Sequence, residues 1–393
     1  MANELSGNSG YLAIRPETVE GVPVGAGSIF VPLYEESLTT ESNPETEMAA
    51  FGSKFARYQI TPGVRSHGGD LTVMAEPNST AHFISSLYHR TGISGSAPYT
   101  WSFSTQAFNK PKSYTFDISS GSQVFRYAGV QASEISPEWK DGEMRWKLKV
   151  SALASFLGAE IASASTSTLT LSTPTAYPNP TNLLVVGDPV LVVNQATGAT
   201  QSFTISSLTA TTVTLSGTPT GVTAGDMLVL APATPSLSLL QPFLWSRTEF
   251  RFGATASAAL SATHTPVEDG SEFVLQHAFE DDKGAQSSGS FDPSVLVRSK
   301  STDVTVKIKK FFRGPDEVRN FIGMKKVALV IRMFSGSQYE CRITLNNLTI
   351  TAGGSKPLIK TEETEYYELD YIPSLDTVDG QAFDVKVINN LAS

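Results

Sequence analysis

The sequence predicts a mainly β protein made of two copies of one β-sandwich unit, each with a short α-helix, and a small all-β domain inserted between the copies. The composition favours strands and turns, because charged residues make up only 17% of the chain while Gly (30) and Pro (22) are plentiful. One pattern of residues occurs twice in the same order. Between its two copies, from Lys149 to Arg247, no other Lys or Arg occurs.

The repeated pattern consists of three blocks. The first block is Arg-Ser, three residues, and then Asp followed by alternating apolar residues and Thr, and it begins at Arg65 and at Arg298. This alternation is typical of a half-buried strand. The third block is a Ser-Gly-Ser turn between strand-like runs, centred on Gly121 and on Gly336. Such a turn predicts a hairpin tip, and three blocks in one order indicate an internal duplication.

The second block predicts a short helix in each copy. Pro77 or Pro315 opens it, as the first helical turn allows, and apolar residues follow. We expect these apolar side chains to pack the helices onto the sheets. They are Phe83, Ile84 and Leu87 in the first copy, and Phe321 and Ile322 in the second. A repeat of this kind usually encodes a scaffold and not chemistry.

The same patterns divide the chain into four segments. The small and polar residues 1–27 predict an extended arm that only a neighbour would order. Residues 28–154 form the first unit, where Pro32 favours an edge position for the first strand. Residues 155–236 form the inserted domain, whose short β-branched strands and Gly-Asp turns indicate a small barrel or sandwich projecting from the units. Residues 237–393 form the second unit.

Each unit has a long polar loop ahead of its first block. Residues 39–54 contain three acids and little strand character, and residues 281–290 are rich in Asp, Gly, Ser and Gln. A loop of this length inside a compact domain is usually functional or disordered. The matching position of the two loops is part of the repeat.

Composition also argues against several classes of protein. A net charge of −9 is unfavourable for a nucleic-acid-binding surface, which needs clustered Lys and Arg. Cys341 is the only cysteine, so no intrachain disulfide can form. The N-terminus lacks the basic and apolar regions of a signal peptide, and no apolar run reaches the roughly 18 residues of a membrane span. We therefore expect a soluble protein made in a reducing cytoplasm.

No catalytic or metal site is predicted. The five histidines are not spaced as metal ligands. The sequence contains no phosphate-binding loop, no dinucleotide-binding glycine pattern and no Gly-x-Ser-x-Gly elbow. Paired acids such as Asp281 and Asp282 lie in polar segments, where solvation is the simpler explanation. We expect no cofactor and no enzymatic activity.

Several short motifs resemble the tail tube proteins of long-tailed bacteriophages. They lie in the two flanking units and not in the inserted domain. The motifs are Glu17-Thr18-x-x-Gly21-x-Pro23, Phe30-Val31-Pro32 with Glu36-Ser37-Leu38, Gly63-x-Arg65, and Gly69-Asp70-Leu71-Thr72-Val73 ahead of a short helix.

The resemblance implies a structural subunit of a virion tail. Tube proteins of this family form a β-sandwich with a short helix. Six such units close into a ring whose inner strands make a continuous β-barrel, and stacked rings form a hollow tube that conducts DNA. In that family, long loops between early strands reach the adjacent ring. The matching charged residues here are Glu41, Glu45, Glu47 and Lys54 in the first unit, and Asp281, Asp282 and Lys283 in the second.

The duplication adds a prediction about symmetry. If each chain supplies two units, three chains complete a pseudo-sixfold ring, and a hexamer of whole chains is the alternative. The resemblance further implies a tape measure protein and tail terminator or tip proteins as partners, DNA only in transit, and no membrane. An acidic lumen would repel phosphate and let the genome pass. An inserted domain on the outside of the tube would crowd a sheath, which favours a non-contractile tail.

Two other classes remain open at this stage. A virion decoration protein, or a β-sandwich protein that binds a receptor or a carbohydrate, would fit the inserted domain alone. An enzyme on a β scaffold, such as a glycan hydrolase, is the third class, and no residue pattern favours it. Polymerisation into hollow tubes would distinguish the first hypothesis from the other two.

Overall fold

Strands contain 53% of the protein and helices 8%, which confirms the predicted mainly β class. The structure is a computed structural model. It describes residues 10–25, 28–43, 45–47, 59–61, 63–104, 109–174, 179–236, 240–268, 270–280, 292–298, 301–311, 316–354, 366–376 and 380–392.

The first half of the chain, residues 10–156, contains a single helix in its described part. Its elements in chain order are β1 (Tyr11–Pro16), β2 (Ile29–Val31), β3 (Leu33–Glu36), β4 (Thr39–Ser42), β5 (Glu45–Glu47), β6 (Gln59–Thr61), β7 (Arg65–Met74), α1 (Pro77–Leu87), β8 (His89–Ser94), β9 (Tyr99–Ser104), β10 (Tyr114–Ser119), β11 (Val124–Lys140), β12 (Glu143–Ala152) and β13 (Ala154–Phe156).

The insert, residues 157–236, follows β13. Its strands are β14 (Ala159–Ser165), β15 (Thr168–Leu171), β16 (Pro189–Val193), β17 (Thr200–Leu208), β18 (Thr212–Leu215) and β19 (Met227–Leu230). They pair in the order β14–β15–β18–β17–β16–β19, and β19 pairs back with β14. This order closes on itself, so the insert is a small antiparallel barrel with no free edge among these strands.

The second half, residues 240–392, begins with a short 3-10 helix at Trp245–Arg247. Its other elements are β20 (Thr248–Gly253), α2 (Ala256–Ser261), β21 (Glu272–Gln276), β22 (Asp303–Phe311), α3 (Asp316–Ile322), β23 (Val327–Ser335), β24 (Tyr339–Ala352), β25 (Tyr366–Ile372) and β26 (Phe383–Asn389). The predicted helices and hairpin tips are present in both halves, since α1 and α3 follow β7 and β22, and tight turns join β10 to β11 and β23 to β24.

Each half contains two antiparallel ladders that share one long strand. In the first half the ladders are β2–β1–β10–β11–β13 and β3–β7–β12–β11. In the second half they are β20–β23–β24–β26 and β21–β22–β25–β24. The order of pairing is therefore the same, with β11 and β24 as the shared strands.

The shared strands bend at a residue with positive φ. In β11 this residue is Gly129 (φ 70), and in β24 it is Asn347 (φ 48). Glycine is required at the first position, because a Cβ atom there would lie 2.7 Å from Cγ of Leu153. Asparagine tolerates the left-handed region better than most residues. Each bend coincides with a register shift in the hairpin, which lets one strand serve two ladders.

The two halves join edge to edge. Ile135 of β11 lies opposite Leu275 of β21, and Glu134 lies opposite Gln276. This pairing makes one sheet of the order β3–β7–β12–β11–β21–β22–β25–β24, with β4 continuing β3 along β7; we call it the joined sheet. A second link pairs β9 of the first half with β26 of the second. One hydrophobic cluster spans both halves, and a separate cluster fills the insert.

Three predictions about segments are wrong in their details. Within the expected arm of residues 1–27, the strand β1 (Tyr11–Pro16) is buried and pairs with β10 and β2, so this part is not an arm; its run of apolar residues is typical of a strand covered on both faces. Residues 39–54 include β4 and β5, where little strand character was expected. Residues Ser155 and Phe156 belong to β13, which pairs with β11, so the insert begins after them.

Candidate assembly surfaces

The joined sheet turns one face to the core and the other to solvent. Along β12 the side chains of Trp146, Leu148 and Val150 are buried, while those of Lys147 and Lys149, which alternate with them, are exposed. The other strands of the sheet alternate in the same way. The acids that point outward from the sheet are Glu35, Glu41, Asp70, Glu134, Glu138, Glu143, Glu272, Asp303, Glu368 and Asp370, and the bases that point outward are Lys140, Arg145, Lys147, Lys149, Lys307 and Lys309. Acids therefore outnumber bases on this face.

Acids lie close to the lysines of the first half, and they flank Lys149 on both neighbouring strands. Lys149 lies opposite Asp70 on β7 and opposite Glu134 on β11. Lys147 forms an ion pair of 2.9 Å with Glu138. Opposite charges at such cross-strand positions attract each other, so these cations are partly neutralised by their own sheet.

The second half repeats this arrangement on different strands. Lys307 of β22 lies opposite Glu272 on β21 and opposite Asp370 on β25. It also forms an ion pair with Glu368, and this hydrogen bond raises the pKa of Lys307. The outward face as a whole offers paired cations and surplus carboxylates, which is a poor surface for binding phosphates tightly.

Arg298, the first residue of the second repeat copy, locks the two halves together. Its guanidinium donates to the carbonyl oxygens of Ser86 (2.8 Å), Ala132 (2.8 Å) and His277 (2.7 Å), and to Oε1 of Gln131 (3.1 Å). Burial lowers the pKa of Arg298 to about 9, so it remains protonated at neutral pH. The sequence marked Arg298 only as part of a repeat and gave no sign of this role.

A second contact joins the loop that precedes Arg298 to β7. The carboxylate of Asp292 lies 2.8 Å from the guanidinium of Arg65 and 3.0 Å from Nε2 of His67. Arg65 is the first residue of the first repeat copy. Asp292, which follows the long polar loop of the second half in the sequence, therefore contacts the first half of the same chain.

The predicted loop residues are described only in part. Glu41 is exposed in β4 and lies opposite Ser66 of β7. Glu45 and Glu47 lie in β5, whose side chains are outside the description. The remaining predicted loop residues are outside the described residues altogether; these are Lys54, Asp281, Asp282 and Lys283.

The predicted helix residues divide between the two halves. Phe83, Ile84 and Leu87 are fully buried, as expected. Phe321 is only half-buried, against Ile350 and Gly354. Ile322 is 75% exposed, so the prediction that it packs in the core is wrong for a single chain. The reason is how much of each helix is covered: strands of both halves enclose α1, whereas α3 packs mainly on β24 and meets β22 through the ion pair of Glu317 with Lys310.

A buried group of charges attaches the insert to the first half. Arg126 of β11 is 2% exposed and bonds to both oxygens of Asp117, at 2.8 and 3.0 Å. It also bonds to both oxygens of Asp188 in the insert, at 2.5 and 3.1 Å. Arg15 forms a further ion pair with Asp117. Bidentate pairs of this kind fix orientation as well as position. They therefore hold the barrel in one orientation relative to the first half.

The two Gly-Asp turns of the insert share a local design. Asp188 accepts a hydrogen bond of 2.8 Å from the backbone of Val185, and Asp226 accepts one of 2.8 Å from the backbone of Thr223. Asp226 also accepts from the backbone of Gln195 at 3.0 Å. Of the two carboxylates, only Asp188 meets an arginine. The two turns are thus similar in sequence, but it is the turn at Asp188 that attaches the insert to the first half.

Asp226 should make the insert sensitive to acid. Backbone hydrogen bonds from Thr223 and Gln195 lower the pKa of Asp226 below its ordinary value of 3.8. A carboxyl whose folded pKa is depressed stabilises the fold above its unfolded pKa and loses that contribution as the pH falls through the folded value. We expect Asp226→Asn to lose less stability than the unaltered protein below pH 3.8, measured by thermal unfolding at a series of pH values. Asp141→Asn, in an exposed hairpin turn, is the control and should retain the full acid sensitivity.

A cavity of about 530 Å³ lies between α1, the end of β1 and the start of β10. His82 lies on its wall, and Nδ1 of this residue is 3.1 Å from the hydroxyl of Tyr114. Burial lowers the pKa of His82 to about 3, so the ring is neutral at physiological pH. A neutral, buried histidine of this kind is suited to packing on Trp101, which it meets edge to face.

Comparisons with known proteins add no assignment. Within the described residues, no helix is long and apolar enough to cross a membrane. No protein-family model matches the chain, and no curated protein matches it either.

Proposed function

We propose that this protein is the tube subunit of a phage tail, which polymerises into stacked rings around a lumen that conducts DNA. In this proposal each half is one β-sandwich tube unit, and the insert decorates the outside of the tube. The observation that carries the proposal is the pairing order, which is the same in the two halves and leaves complementary edges at the two ends of the joined sheet.

The shared pairing order supports an internal duplication. Strand β1 corresponds to β20, β10 to β23, β11 to β24, β12 to β25, β7 to β22, β3 to β21 and β13 to β26, and each corresponding pair of neighbours is hydrogen-bonded in both halves. Helices α1 and α3 follow corresponding strands. Agreement over this many pairings is hard to obtain from two unrelated folds, because sheets allow many orders.

Irregularities of the ladders support the same inference. The pairing of β10 with β11 shifts between Tyr114 and Phe116, and that of β23 with β24 shifts between Val327 and Leu329. Further along, both β11 and β24 shift again where they meet β12 and β25. Bulges are kept within families as features of the fold. Two bulges in corresponding places therefore favour a common origin of the halves.

The internal join indicates how rings could close. Inside the chain, β21 of the second half pairs with β11 of the first half. The strand of the first half that corresponds to β21 is β3, and the strand of the second half that corresponds to β11 is β24. In the described residues no strand pairs with the outer edge of β3 and β4 or with the outer edge of β24 beyond Asn347. Exposed edges are open to pairing with other chains. Pairing of β24 with β3 and β4 of the next copy would repeat the internal join, and three chains would give six units.

The charge of the outward face is compatible with a conduit. In a closed ring the face of the joined sheet that points away from the core would line the lumen. Its bases are paired with acids, and acids outnumber them. Such a wall gives DNA few unpaired cations to bind, so the genome could pass without being retained.

Electron cryomicroscopy of the purified protein tests the proposal. Threefold rings that contain six similar units, stacked into hollow tubes, are the expected result. Rings of six whole chains would support the tube function, but they would mean that the second half does not line the lumen. Discrete particles without rings would contradict the proposal and would favour a decoration or receptor-binding protein, for which the projecting barrel is the supporting feature.

The loop after β4 provides a second test. Replacing residues 44–58 with a Gly-Ser linker of equal length leaves β4 in place on β7 and removes the acids of β5. If this loop reaches the adjacent ring, we expect single rings that no longer stack, measured by electron microscopy and sedimentation velocity. Tubes of normal length from this variant would rule out the inter-ring role. An unaltered melting temperature would show that the change acts on stacking and not on folding.

A further inference from the structure

The C-terminal end of α3 is an exposed apolar surface with a buried counterpart in the same chain. Ile322 is 75% exposed and Met324 is 73% exposed. The relative of Ile322 in the first repeat copy is covered, since Ile84 occupies the same block position and is fully buried. Two large aliphatic side chains exposed within three residues of each other are a candidate contact surface, since patches of exposed apolar side chains commonly mark one.

The second half supplies much of the cover on α1. Helix α1 packs on β26 and on β24 as well as on its own β11. At its C-terminal end the ring of Tyr88 meets that of Phe383 edge to face, with centroids 5.5 Å apart. The carbonyl of Leu87 lies 3.3 Å from Nδ1 of His277. The end of α1 is thus enclosed by β24, β26 and the residue that follows β21.

The corresponding strands of the first half form a groove that is open in the single chain. Strand β11 corresponds to β24, β13 to β26 and β3 to β21. At the place where these elements meet lies a groove of about 280 Å³, with Leu38, Phe125, Tyr127 and Leu157 among its lining residues. Leu157 is 46% exposed. The groove is smaller than a typical small-molecule site, which favours a few aliphatic side chains as its occupant.

Positions along the shared strands agree with this correspondence. Tyr127 of β11 lies opposite Phe116, just before the bulge that β11 forms with β10. Leu345 has the same position in β24, because it lies opposite Leu329 just before the bulge that β24 forms with β23. The hydroxyl of Tyr127 donates a hydrogen bond of 3.0 Å to the carbonyl of Leu38, which holds this wall of the groove in place.

The charges around the two surfaces are complementary. Glu36 lines the groove, and Glu35 and Glu41 are exposed on the same sheet edge. Lys325 and Lys326, directly after α3, are exposed beside Ile322 and Met324 in the sequence. Opposite charges at the rim of an apolar contact favour one orientation and speed association.

We propose that the end of α3, with Ile322 and Met324, docks into the groove lined by Leu38, Phe125, Tyr127 and Leu157 of a second copy of this chain. This inference rests on the proposed tube function and names the contact between chains that accompanies ring closure. It repeats between chains the packing that encloses α1 within one chain. The burial expected for Ile322 from the repeat is then reached only in the assembly.

Disulfide trapping between two different variants tests the contact. One chain carries Ile322→Cys and the other Leu157→Cys, and the two are mixed, assembled and oxidised. We expect a disulfide-linked pair of chains in the mixture and none from either variant alone, because a disulfide forms only between close Cβ atoms. Cys341 does not interfere, since it is fully buried and burial raises the pKa of its thiol. Val186→Cys mixed with Leu157→Cys is the control, because Val186 is exposed on the insert, and it should give no linked pair.

A charge placed on α3 provides an independent readout. Ile322→Asp should fold with an unchanged melting temperature, because the side chain is exposed in the single chain, and should fail to form rings. Leu260→Asp, at an exposed site on α2, should assemble normally. If the unaltered protein forms no rings, the tube function is overturned and this contact with it. If it forms rings, and Ile322→Asp also forms them or the mixed cysteine variants do not link, the contact alone is overturned.

Discussion

Replacing Arg126 with leucine is expected to destabilise the protein by about 3–5 kcal/mol, the range for removing one partner of a buried ion pair. Among the residues that the structure describes, this guanidinium is the only cation that forms an ion pair with Asp188, and it shares Asp117 with Arg15. Its loss removes the ion pair of the buried Asp188, which then keeps, of these two arginines, only the attraction of Arg15, and burying a charge without its partner is costly. Urea unfolding followed by circular dichroism would measure the change in the free energy of unfolding.

Two control variants make this prediction specific. Lys147→Leu breaks the exposed pair with Glu138 and should cost less than about 1 kcal/mol. The double variant Arg126→Leu with Asp188→Leu should recover part of the loss, because apolar residues of similar size can replace a buried pair. Equal effects of Arg126→Leu and Lys147→Leu would contradict the assigned role of the buried charges.

This buried group also illustrates what the sequence could not reveal. Arg126 and Asp188 are 62 positions apart, and no local pattern distinguishes Asp188 from Asp226. Both follow glycine and both cap their own turn. Strands, hairpin tips and helix starts were predictable, because alternation, turn residues and proline act over a few neighbouring residues. Contacts between distant segments follow from the assembled fold, which the composition of one segment does not encode.

The first repeat block shows the limit in another way. Asp70 lies opposite Lys149 of β12. The residue of β25 that corresponds to Lys149 is Asp370, since each of the two lies opposite the residue just past the second bulge of its shared strand. The residue opposite Asp370 is Lys307 and not Asp303. The sequence repeat thus identifies the correct strand but is displaced along it by four positions. Local alternation is unchanged by an even shift, so the sequence pattern leaves this choice of register open.

The helix of the second half differs for a similar reason. Block similarity predicts burial of Ile322, because Ile84 at the same position is buried. In the first half the hairpin β8–β9 follows the helix and connects it to β26. In the second half only a few residues separate α3 from β23. How much of a helix is buried depends on the elements around it, and the β8–β9 hairpin has no counterpart between α3 and β23.

Truncating the two repeat-related phenylalanines should therefore have unequal effects. Phe83→Ala is expected to destabilise the protein by about 3–5 kcal/mol, because the ring is fully buried among the strands of both halves and its removal leaves a cavity. Phe321→Ala in the separated chain should cost no more than about half as much, since the ring is half-buried and loses less apolar surface to water.

The comparison is most informative when stability is measured both in dilute single chains and in assembled rings. If α3 is covered by a neighbouring copy, the cost of Phe321→Ala should rise on assembly, whereas that of Phe83→Ala should remain the same, because α1 already has its cover. Thermal unfolding before and after assembly would measure both differences. Equal costs of the two truncations in single chains would mean that α3 is packed as fully as α1. An unchanged cost of Phe321→Ala in the ring would mean that no neighbour covers this helix, and the first half of a second copy would then have to close the ring through its strand edge alone.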